Sequence, residues 1–198
     1  VLLPGDGIGP EVSSAAQAVL VAVGEVFGRS LRFEVHEIGG AAIDACGEPL
    51  PEKTLAACQG ADAVLLGAVG GPRWSDPGLS VRPDQGLLRL RQGMGGCANL
   101  RPVVPHPRLL AASPIRPELL TEVDICFVRE LTGGLYFGDK TRDGDSARDV
   151  CTYTVDEIER VVRLAARLAR QRRGRLTSVD KANVLETSRL WRETTERI

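Results

Sequence analysis

The sequence predicts an α/β layered fold with a largely parallel sheet. Short apolar runs alternate with longer amphipathic segments along its 198 residues, which is typical of strands connected by helices. Glycine and proline residues separate these segments, as the turns between elements require. The hydrophobic content of 43% is ordinary for a chain that buries a core, so wholesale disorder is excluded. The length fits one large domain or two small ones.

The chain begins with a strand, a glycine-rich turn and a helix. Residues 1–3 are apolar, and Gly5, Gly7 and Gly9 end the run. Pro10 suits the first turn of a helix, and Glu11 suits its positive end. The apolar residues that follow recur at helical spacing and predict one broad apolar face, formed by Val12, Ala15, Ala16, Val19, Leu20, Val23 and Val26.

Strands and helices alternate through the rest of the chain. The patterning predicts strands over residues 31–38, 61–67, 99–104, 124–131 and 176–179. It predicts helices over residues 52–59, 85–94 and 184–198, and another that starts at the capping-box spacing of Thr154 and Glu157 and ends near Gly174. Residues 70–84 form a long loop rich in glycine and proline, and such loops are often functional. The last helix has no exit signal, which indicates a chain cut within a helix.

Charge and composition exclude several classes of protein. The net charge is −1, so the composition favours neither nucleic acid nor a membrane surface as a partner. No apolar stretch reaches the length of about 18 residues that a membrane helix needs, and the start lacks the features of a signal peptide. The five cysteines are scattered without a C-x-x-C pair, which disfavours a zinc site and indicates a reducing cytoplasm.

The glycine-rich turn has two interpretations. Gly5-x-Gly7-x-Gly9 between a strand and a helix resembles a turn that cradles phosphate. The third glycine of the dinucleotide-binding motif would stand at position 10, which Pro10 occupies. A tight strand-to-helix turn explains the three glycines on its own, and a ligand contact at the helix start stays open.

Two arginines close predicted strands and are candidate anion ligands. Arg101 follows one apolar run, and Arg129 closes another. In open α/β sheets, ligands gather at the carboxyl ends of strands. A guanidinium beside a buried strand needs an anion, because burial of an unpaired charge is costly. The alternative is a structural ion pair, for which Glu130 is the neighbouring candidate.

A third arginine shares a helix face with two leucines. Arg91 lies four residues after Leu87 and three after Leu88, so the three side chains are neighbours on a helix. This face offers an apolar patch beside a fork that binds carboxylates. The implied ligand is a small acid with a branched apolar group. The alternative is an amphipathic helix with a solvated arginine.

A lysine and a tyrosine are candidates for proton transfer. Lysine occurs only at positions 53, 140 and 181 among 25 basic residues, so Lys181 indicates a need for an amine that can lose its proton as a general base. A surface lysine is the alternative. Tyr136 lies between glycine turns and is either a general acid or a packed aromatic residue. The arginines of residues 160–175 favour a solvated helix face over nucleic-acid binding, since no aromatic residues interleave.

Taken together, these segments resemble the 3-isopropylmalate dehydrogenases of the isocitrate/isopropylmalate β-decarboxylating dehydrogenase family. The matching motifs run in order along the whole chain, at residues 3–11, 39–44, 66–74, 82–88, 98–102, 128–134, 136–138 and 178–186. The resemblance implies an isopropylmalate dehydrogenase-like fold, distinct from the usual Rossmann fold. It also implies NAD-dependent oxidation of a 2-hydroxy acid, followed by loss of a β-carboxylate, in leucine biosynthesis.

The resemblance assigns roles by motif position. It implies that Lys181 accepts the hydroxyl proton and that Tyr136 protonates the enolate carbon after carbon dioxide leaves. The implied carboxylate ligands are Arg91, Arg101 and Arg129, and Leu87 is the wall for the isopropyl group. The implied nicotinamide contacts are Gly71, Pro72, Arg73, Trp74, Asp84 and Asn183. Asp84 stands where the family usually has glutamate, which shortens its reach by one methylene.

The resemblance further implies a homodimer with shared active sites, because the family's lysine reaches the partner's site. Residues 139–152 occupy the place of the arm through which family subunits clasp each other. Family chains are nearly twice as long, and their aspartate ligands for Mg²⁺ or Mn²⁺ lie beyond the end of this chain. We therefore expect a fragment without turnover and of poor solubility, with residues 1–97 as the first half of a cofactor domain and residues 98–198 as a substrate and dimerisation domain.

Two other interpretations stay open. One is a sister enzyme that acts on isocitrate, homoisocitrate, tartrate or malate, although Leu87 and Leu88 disfavour the extra carboxylate of isocitrate. The other is a truncated chain without catalysis that persists as a dimerising or binding module.

Overall fold

The computed structural model describes residues 1–76 and 78–198, and it divides the chain into two compact units, Val1–Gly95 and Gly96–Ile198. Pro77, within the loop that the sequence predicts, lies outside the described residues. The first unit contains β1 (Leu2–Gly5), α1 (Gly9–Val26), α2 (Gly40–Cys46), α3 (Glu52–Gly60), β2 (Leu65–Ala68) and α4 (Pro83–Gly93).

The first unit is built on a parallel strand pair. β1 and β2 pair in parallel, with Leu3 beside Leu66. The predicted strand over residues 31–38 reduces to one parallel bridge between Leu2 and Val35. Val35 and its neighbours are mostly exposed, and within the described part of the chain no further strand pairs with them. The core beside the strands consists of Leu3, Ile38, Leu50, Leu55, Cys58 and Leu90.

The glycine-rich turn is explained by close backbone packing. Gly5 has a φ of +71°, and an added Cβ there would overlap the carbonyl oxygen of Ala68 on β2. An added Cβ at Gly9 would overlap the carbonyl oxygen of Pro4. Side chains at either position would push β1 away from its neighbours. The structure therefore supports the interpretation of this segment as a tight strand-to-helix turn.

A buried carboxylate in this turn connects three segments of the first unit. Asp6 is only 4% exposed. Its Oδ2 accepts hydrogen bonds from the backbone N–H groups of Gly40 at 2.8 Å and Gly70 at 2.7 Å, and its Oδ1 accepts one from Ala41 at 2.7 Å. Asp6 thus caps the start of α2 from a distant part of the chain, since the neighbouring Gly39 has no side chain. The same carboxylate fixes the backbone that follows β2.

Helix α1 packs through its small residues rather than its large apolar ones. The buried residues of the helix are Gly9, Ser13 and Gly24. The Ser13 side chain lies so close to β2 that an added Cβ at Gly67 would overlap its Oγ. Val19 and Val26 of the predicted apolar face are 62% and 79% exposed. The close approach of helix and strand explains this orientation, because only small side chains fit between the two backbones.

The second unit combines an antiparallel strand pair with two helices. Its elements are β3 (Ala98–Val103), β4 (Ile125–Glu130), β5 (Lys140–Asp143), β6 (Ser146–Asp149), α5 (Val155–Arg170) and α6 (Glu186–Arg197). β3 pairs with β4, and β5 pairs with β6 as an exposed hairpin. The predicted capping box is confirmed, since Thr154 Oγ1 accepts from Glu157 N and Glu157 Oε2 accepts from Thr154 N.

The core of the second unit lies between the β3–β4 pair and the two helices. Ile158, Val161 and Val162 of α5 are buried, and Val128 of β4 and Trp191 of α6 pack against them. The opposite face of α5 carries exposed arginines, and Arg163 forms an ion pair with Glu159. These contacts support the interpretation of the arginine run as a solvated helix face.

The α/β class is confirmed, and most element positions agree with the sequence patterns within a few residues. The strand predicted over residues 176–179 is wrong, since this segment carries no strand and Val179 is 85% exposed. Helix α2 and the β5–β6 hairpin were not predicted as elements. Gly47 in a left-handed conformation ends α2, and Gly144-Asp145, with glycine first, is a two-residue hairpin turn signal. No helix among the described residues is long and apolar enough to cross a membrane.

We expect Asp6→Asn to destabilise the first unit by about 1–3 kcal/mol, because an amide nitrogen would face a backbone N–H donor and leave it unpaired. The measurement is urea unfolding followed by circular dichroism. The matched control is Asp62→Asn, at an exposed position of the same unit, which should not change the free energy of unfolding. Equal stabilities of the two variants would contradict the connecting role of Asp6.

Candidate active site

One face of the β3–β4 pair carries the two strand arginines. The antiparallel register sets Asn99 opposite Arg129 and Arg101 opposite Phe127. Residues that lie opposite each other, or two positions apart on one strand, project from the same face of a sheet. Asn99, Arg101, Phe127 and Arg129 therefore share one face, and Val128 on the other face packs against the core. Arg101, Phe127 and Arg129 are exposed.

Polar contacts connect these residues with Tyr136. The Nε of Arg101 donates a hydrogen bond to Asn99 Oδ1 at 2.6 Å. The Cζ of Arg129 lies 5.1 Å from the centre of the Tyr136 ring, within range of a cation–π interaction. Among the described residues, neither guanidinium forms an ion pair with a carboxylate. Two cationic groups on one exposed face fit a ligand with two carboxylates.

Glu130 is not the ionic partner of Arg129. It lies on the buried face of β4 and is 8% exposed. Its Oε1 accepts from Thr132 N at 2.8 Å and Thr132 Oγ1 at 2.7 Å, and its Oε2 accepts from Gly133 N at 2.9 Å. The carboxylate therefore holds the turn that follows β4, and the structural ion pair considered for Arg129 is absent from the described residues.

The turn after Glu130 brings Tyr136 to Arg129. Gly134 has a φ of +76°, and an added Cβ there would overlap the Tyr153 hydroxyl, so only glycine fits. The Nζ of Lys140 donates to the carbonyl oxygens of Tyr136 at 3.0 Å and Gly138 at 3.2 Å. Tyr136 is 59% exposed. Tyr136 is therefore not a packed core aromatic, and its phenol is open to a ligand.

Tyr153 is the packed tyrosine of the second unit. Its ring lies edge-on to Trp191, with 5.5 Å between ring centres. Burial raises the pKa of Tyr153, and the negative charge of Glu130 raises it further. The Tyr153 side chain lies against Gly133 and Gly134 of the turn that follows Glu130.

Lys181 and Asn183 lie in a turn beside an ion pair between Asp180 and Arg192. Lys181 O accepts from Val184 N and Leu185 N, both at 3.0 Å. The Asp180 carboxylate is 7% exposed and accepts two hydrogen bonds from Arg192, from Nε at 3.0 Å and from a terminal nitrogen at 2.7 Å. These bonds and one from Ala182 N lower the pKa of Asp180. Lys181 and Asn183 are themselves exposed.

The two predicted site residues Leu87 and Arg91 lie on α4 of the first unit. This helix buries a face formed by Pro83, Gly86 and Leu90. Leu87 and Arg91 are half-buried and lie next to this face. Both lie within one regular helix, four residues apart, as predicted. Asp84 is exposed in the first turn.

The candidate nicotinamide loop rests on α2. Arg73 forms an ion pair with Asp44 at 2.7 Å, and its Cζ lies 5.4 Å from the centre of the Trp74 ring. The Trp74 indole covers Gly40, where an added Cβ would overlap the ring. Gly71 and Pro72 begin the short turn that carries both side chains. The side chains of Arg73 and Trp74 are thus engaged with α2.

The second unit therefore brings Arg101, Arg129 and Tyr136 together by itself. Asn99 was not singled out from the sequence, although its position two residues before Arg101 on a strand signals a shared face. The convergence of Arg91 with this group, and the roles of all these residues, stay predictions. The described residues contain no group of three or more histidines, cysteines, aspartates or glutamates that could hold a metal ion.

Comparison with known proteins identifies the class. The family model of isocitrate/isopropylmalate dehydrogenases matches residues 1–198, and the chain belongs to this family. Two solved structures share its fold. They are a β-decarboxylating dehydrogenase from Thermococcus kodakarensis, with 36% identity, a TM-score of 0.69 and coverage of 99% of this chain and 52% of that chain, and isocitrate dehydrogenase from Methylococcus capsulatus, with 30% identity, a TM-score of 0.77 and coverage of 100% and 55%.

Three curated relatives narrow the class, because each of them is named 3-isopropylmalate dehydrogenase. The Anaeromyxobacter dehalogenans protein is 58% identical over 98% of this chain and 56% of its own length. The Rhodopirellula baltica protein is 54% identical over 97% and 55%, and the Geobacillus kaustophilus protein is 54% identical over 100% and 54%. The resemblance stated from the sequence is confirmed. The chain spans about half the length of the curated relatives it matches.

We expect Gly40→Ala to displace the Trp74 indole, since the added methyl group needs the space that the ring occupies. The measurement is tryptophan emission and its quenching by acrylamide, which should move toward a more exposed ring. Gly60→Ala in α3 is the matched control, because an added Cβ there meets no atom within 4 Å. Trp191 contributes equally to all three proteins. Unchanged emission in Gly40→Ala would contradict the packing of the loop on α2.

We expect the stabilisation by Asp180 to depend on pH. Because the Arg192 hydrogen bonds lower the pKa of Asp180 in the folded state, its contribution is fully present above the pKa of an unfolded aspartate. That contribution is lost as the pH falls through the folded-state value. Asp180→Asn should therefore lower the urea midpoint at neutral pH, with a difference from the parent that shrinks on acidification. The control is Asp145→Asn in the exposed hairpin turn. A difference independent of pH would contradict this account.

Proposed function

We propose that this chain is part of a dehydrogenase that converts 3-isopropylmalate to 4-methyl-2-oxopentanoate with NAD, in leucine biosynthesis. The observation that carries the proposal is the exposed face on which Arg101 and Arg129 lie without carboxylate partners among the described residues, beside the Tyr136 phenol. The names of the relatives support the substrate. The scattered free cysteines support a cytoplasmic location.

The proposed substrate has two carboxylates and one branched apolar group. Arg101 and Arg129 bind the carboxylates, and Arg91 adds a third guanidinium. Leu87 and Leu88 on α4 form the wall against the isopropyl group. An apolar wall leaves the additional carboxylate of isocitrate without a partner, which disfavours that substrate. The sister enzymes are the second candidate function, because a solved isocitrate dehydrogenase shares the fold.

Two side chains of this chain move protons in the proposed reaction. Lys181, as the neutral amine, accepts the proton of the substrate hydroxyl while the carbon that bears this hydroxyl is oxidised. After the β-carboxylate leaves as carbon dioxide, the phenol of Tyr136 protonates the enolate carbon. Arg129 keeps the Tyr136 ring in place through the cation–π contact. We propose that Lys181 serves the site of a second subunit and that the β5–β6 hairpin forms the arm between subunits.

The proposed nicotinamide site is the segment from Gly71 to Asp84, together with Asn183. An added Cβ at Gly70 meets no atom within 4 Å, so the backbone at the start of this loop is open to a flat ring. Because Arg73 and Trp74 are engaged with α2, the proposed contacts for the ligand are backbone groups of the loop, Asp84 and Asn183. When bound, NAD supplies the hydride acceptor.

The divalent metal of the family, Mg²⁺ or Mn²⁺, does not fit the described residues, which offer no suitable set of ligands. Because the chain spans about half the length of its relatives, we propose that further residues of the protein complete the site, as in a longer enzyme. We expect no NADH from the 198-residue chain alone.

The test joins this chain to the C-terminal part of the Anaeromyxobacter dehalogenans relative and measures NADH formation from 3-isopropylmalate, malate, tartrate and isocitrate. We expect the highest kcat/KM for 3-isopropylmalate. Arg129→Ala should lower kcat/KM by about 100-fold, because a substrate carboxylate would lose its charged partner.

The matched control is Arg163→Ala, which removes an exposed arginine of α5 outside the candidate site and should leave kcat/KM unchanged. A preference for isocitrate or malate would establish a sister enzyme instead. Turnover by the 198-residue chain alone would refute the need for further residues, and no turnover of any substrate by the joined protein would favour a non-catalytic dimerising module.

A further inference from the structure

Asn99 is a neighbour of both strand arginines of the candidate site in the β3–β4 register. It lies directly opposite Arg129 in the β3–β4 register and two residues before Arg101 on the same strand. Opposite residues of an antiparallel pair have Cβ atoms about 5 Å apart, and diagonal neighbours are about 7–8 Å apart. Asn99 is half-buried, whereas both arginines are exposed. Its amide is therefore positioned at the floor of the exposed arginine face.

The hydrogen bond to Arg101 fixes the orientation of this amide. The Nε–H of Arg101 lies 2.6 Å from Asn99 Oδ1. A guanidinium only donates hydrogen bonds, so the carbonyl half of the amide must face Arg101. The Nδ2 group, with two N–H donors, forms no hydrogen bond within the described part of the chain. The donor half of Asn99 is thus available on a face that already carries two positive charges.

The same bond determines which edge of Arg101 can bind a ligand. A guanidinium has one edge that includes Nε and another formed by its two terminal nitrogens, and either edge can hold a carboxylate with two parallel bonds. Because Asn99 occupies the Nε–H, the edge with the terminal nitrogens is the one left for a ligand. An arginine held by such a bond also loses less conformational freedom when it binds.

We propose that Asn99 is a further carboxylate-binding residue of this site, which orients Arg101 through Oδ1 and donates to the bound carboxylate through Nδ2. The proposal rests on the proposed function, because it assumes that Arg101 and Arg129 bind a dicarboxylate. It adds a neutral donor to the site, which strengthens the binding of an anion without adding a third positive charge to the sheet.

The first experiment tests orientation in the 198-residue chain without a ligand. In the ¹⁵N-labelled chain, the Nε–H of Arg101 should give a slowly exchanging signal, assigned by its loss in Arg101→Lys. We expect Asn99→Ala to remove this signal and Asn99→Ser, which keeps an acceptor, to restore part of it. Gln171→Glu, an exposed amide-to-acid change in the same unit, should leave it unchanged. A signal that persists in Asn99→Ala would overturn the orienting role.

The second experiment measures binding of 3-isopropylmalate to the joined protein described above by calorimetry. We expect Asn99→Ala to raise the Kd by about tenfold. Asn99→Asp should raise it by more than about 100-fold, because its carboxylate would occupy the guanidinium groups in place of the ligand. Gln171→Glu serves as the isosteric control and should bind like the parent. Circular dichroism confirms that each variant is folded.

The outcomes separate this inference from the proposed function. If Arg101→Ala weakens binding and Asn99→Ala does not, Asn99 has no binding role and the proposed function stands. If neither Arg101→Ala nor Arg129→Ala changes the Kd, the arginine face is not the substrate site and both proposals fail. If Asn99→Ala fails to fold, Asn99→Ser and Asn99→Asp decide the question, and equal Kd values for these two variants would overturn the inference.

Discussion

The antiparallel register of β3 and β4 is the constraint on which the candidate site depends. It sets Asn99 opposite Arg129, and therefore projects both strand arginines from one exposed face while Glu130 projects into the core side. A shift of one residue in either strand would exchange the faces of that strand and turn its arginine toward the core side. The apolar residues on the other face, which pack against α5, oppose such a shift. The packing of the core thus maintains the arrangement of the charged groups.

Two buried carboxylates have the same structural role at different places in the chain. Asp6 follows β1, Glu130 ends β4, and each accepts three hydrogen bonds, mostly from backbone N–H groups, which are distant in sequence for Asp6 and in the following turn for Glu130. Among the described residues no ion pair involves either carboxylate, and the hydrogen-bond donors satisfy their charges, so burial is tolerated. One carboxylate holds the start of α2 and the segment before the candidate nicotinamide loop. The other holds the turn that carries Tyr136. In both cases an acidic residue supports a loop that bears candidate functional groups.

Local patterns predicted most elements because they depend on short-range chemistry. The capping box at Thr154 and Glu157, the proline at the start of α1 and the apolar runs of β3 and β4 each act within a few residues. The failures are long-range. Residues 31–38 form one bridge and residues 176–179 none, since a strand needs a neighbour that its own sequence does not specify. The large apolar residues of α1 are exposed because the close approach of β2 selects its small residues for contact.

For the site, the sequence by itself determined the family, the chemical types of the candidate groups and the pairing of Leu87 with Arg91 on one helix, since motif order and helical spacing are properties of the chain. Only the tertiary structure decided that Glu130 turns away from Arg129, that Tyr136 lies against Arg129, and that Asn99 holds Arg101. These facts depend on strand register and on turns closed by distant backbone donors. Such contacts join residues that folding brings together, and no local pattern encodes them.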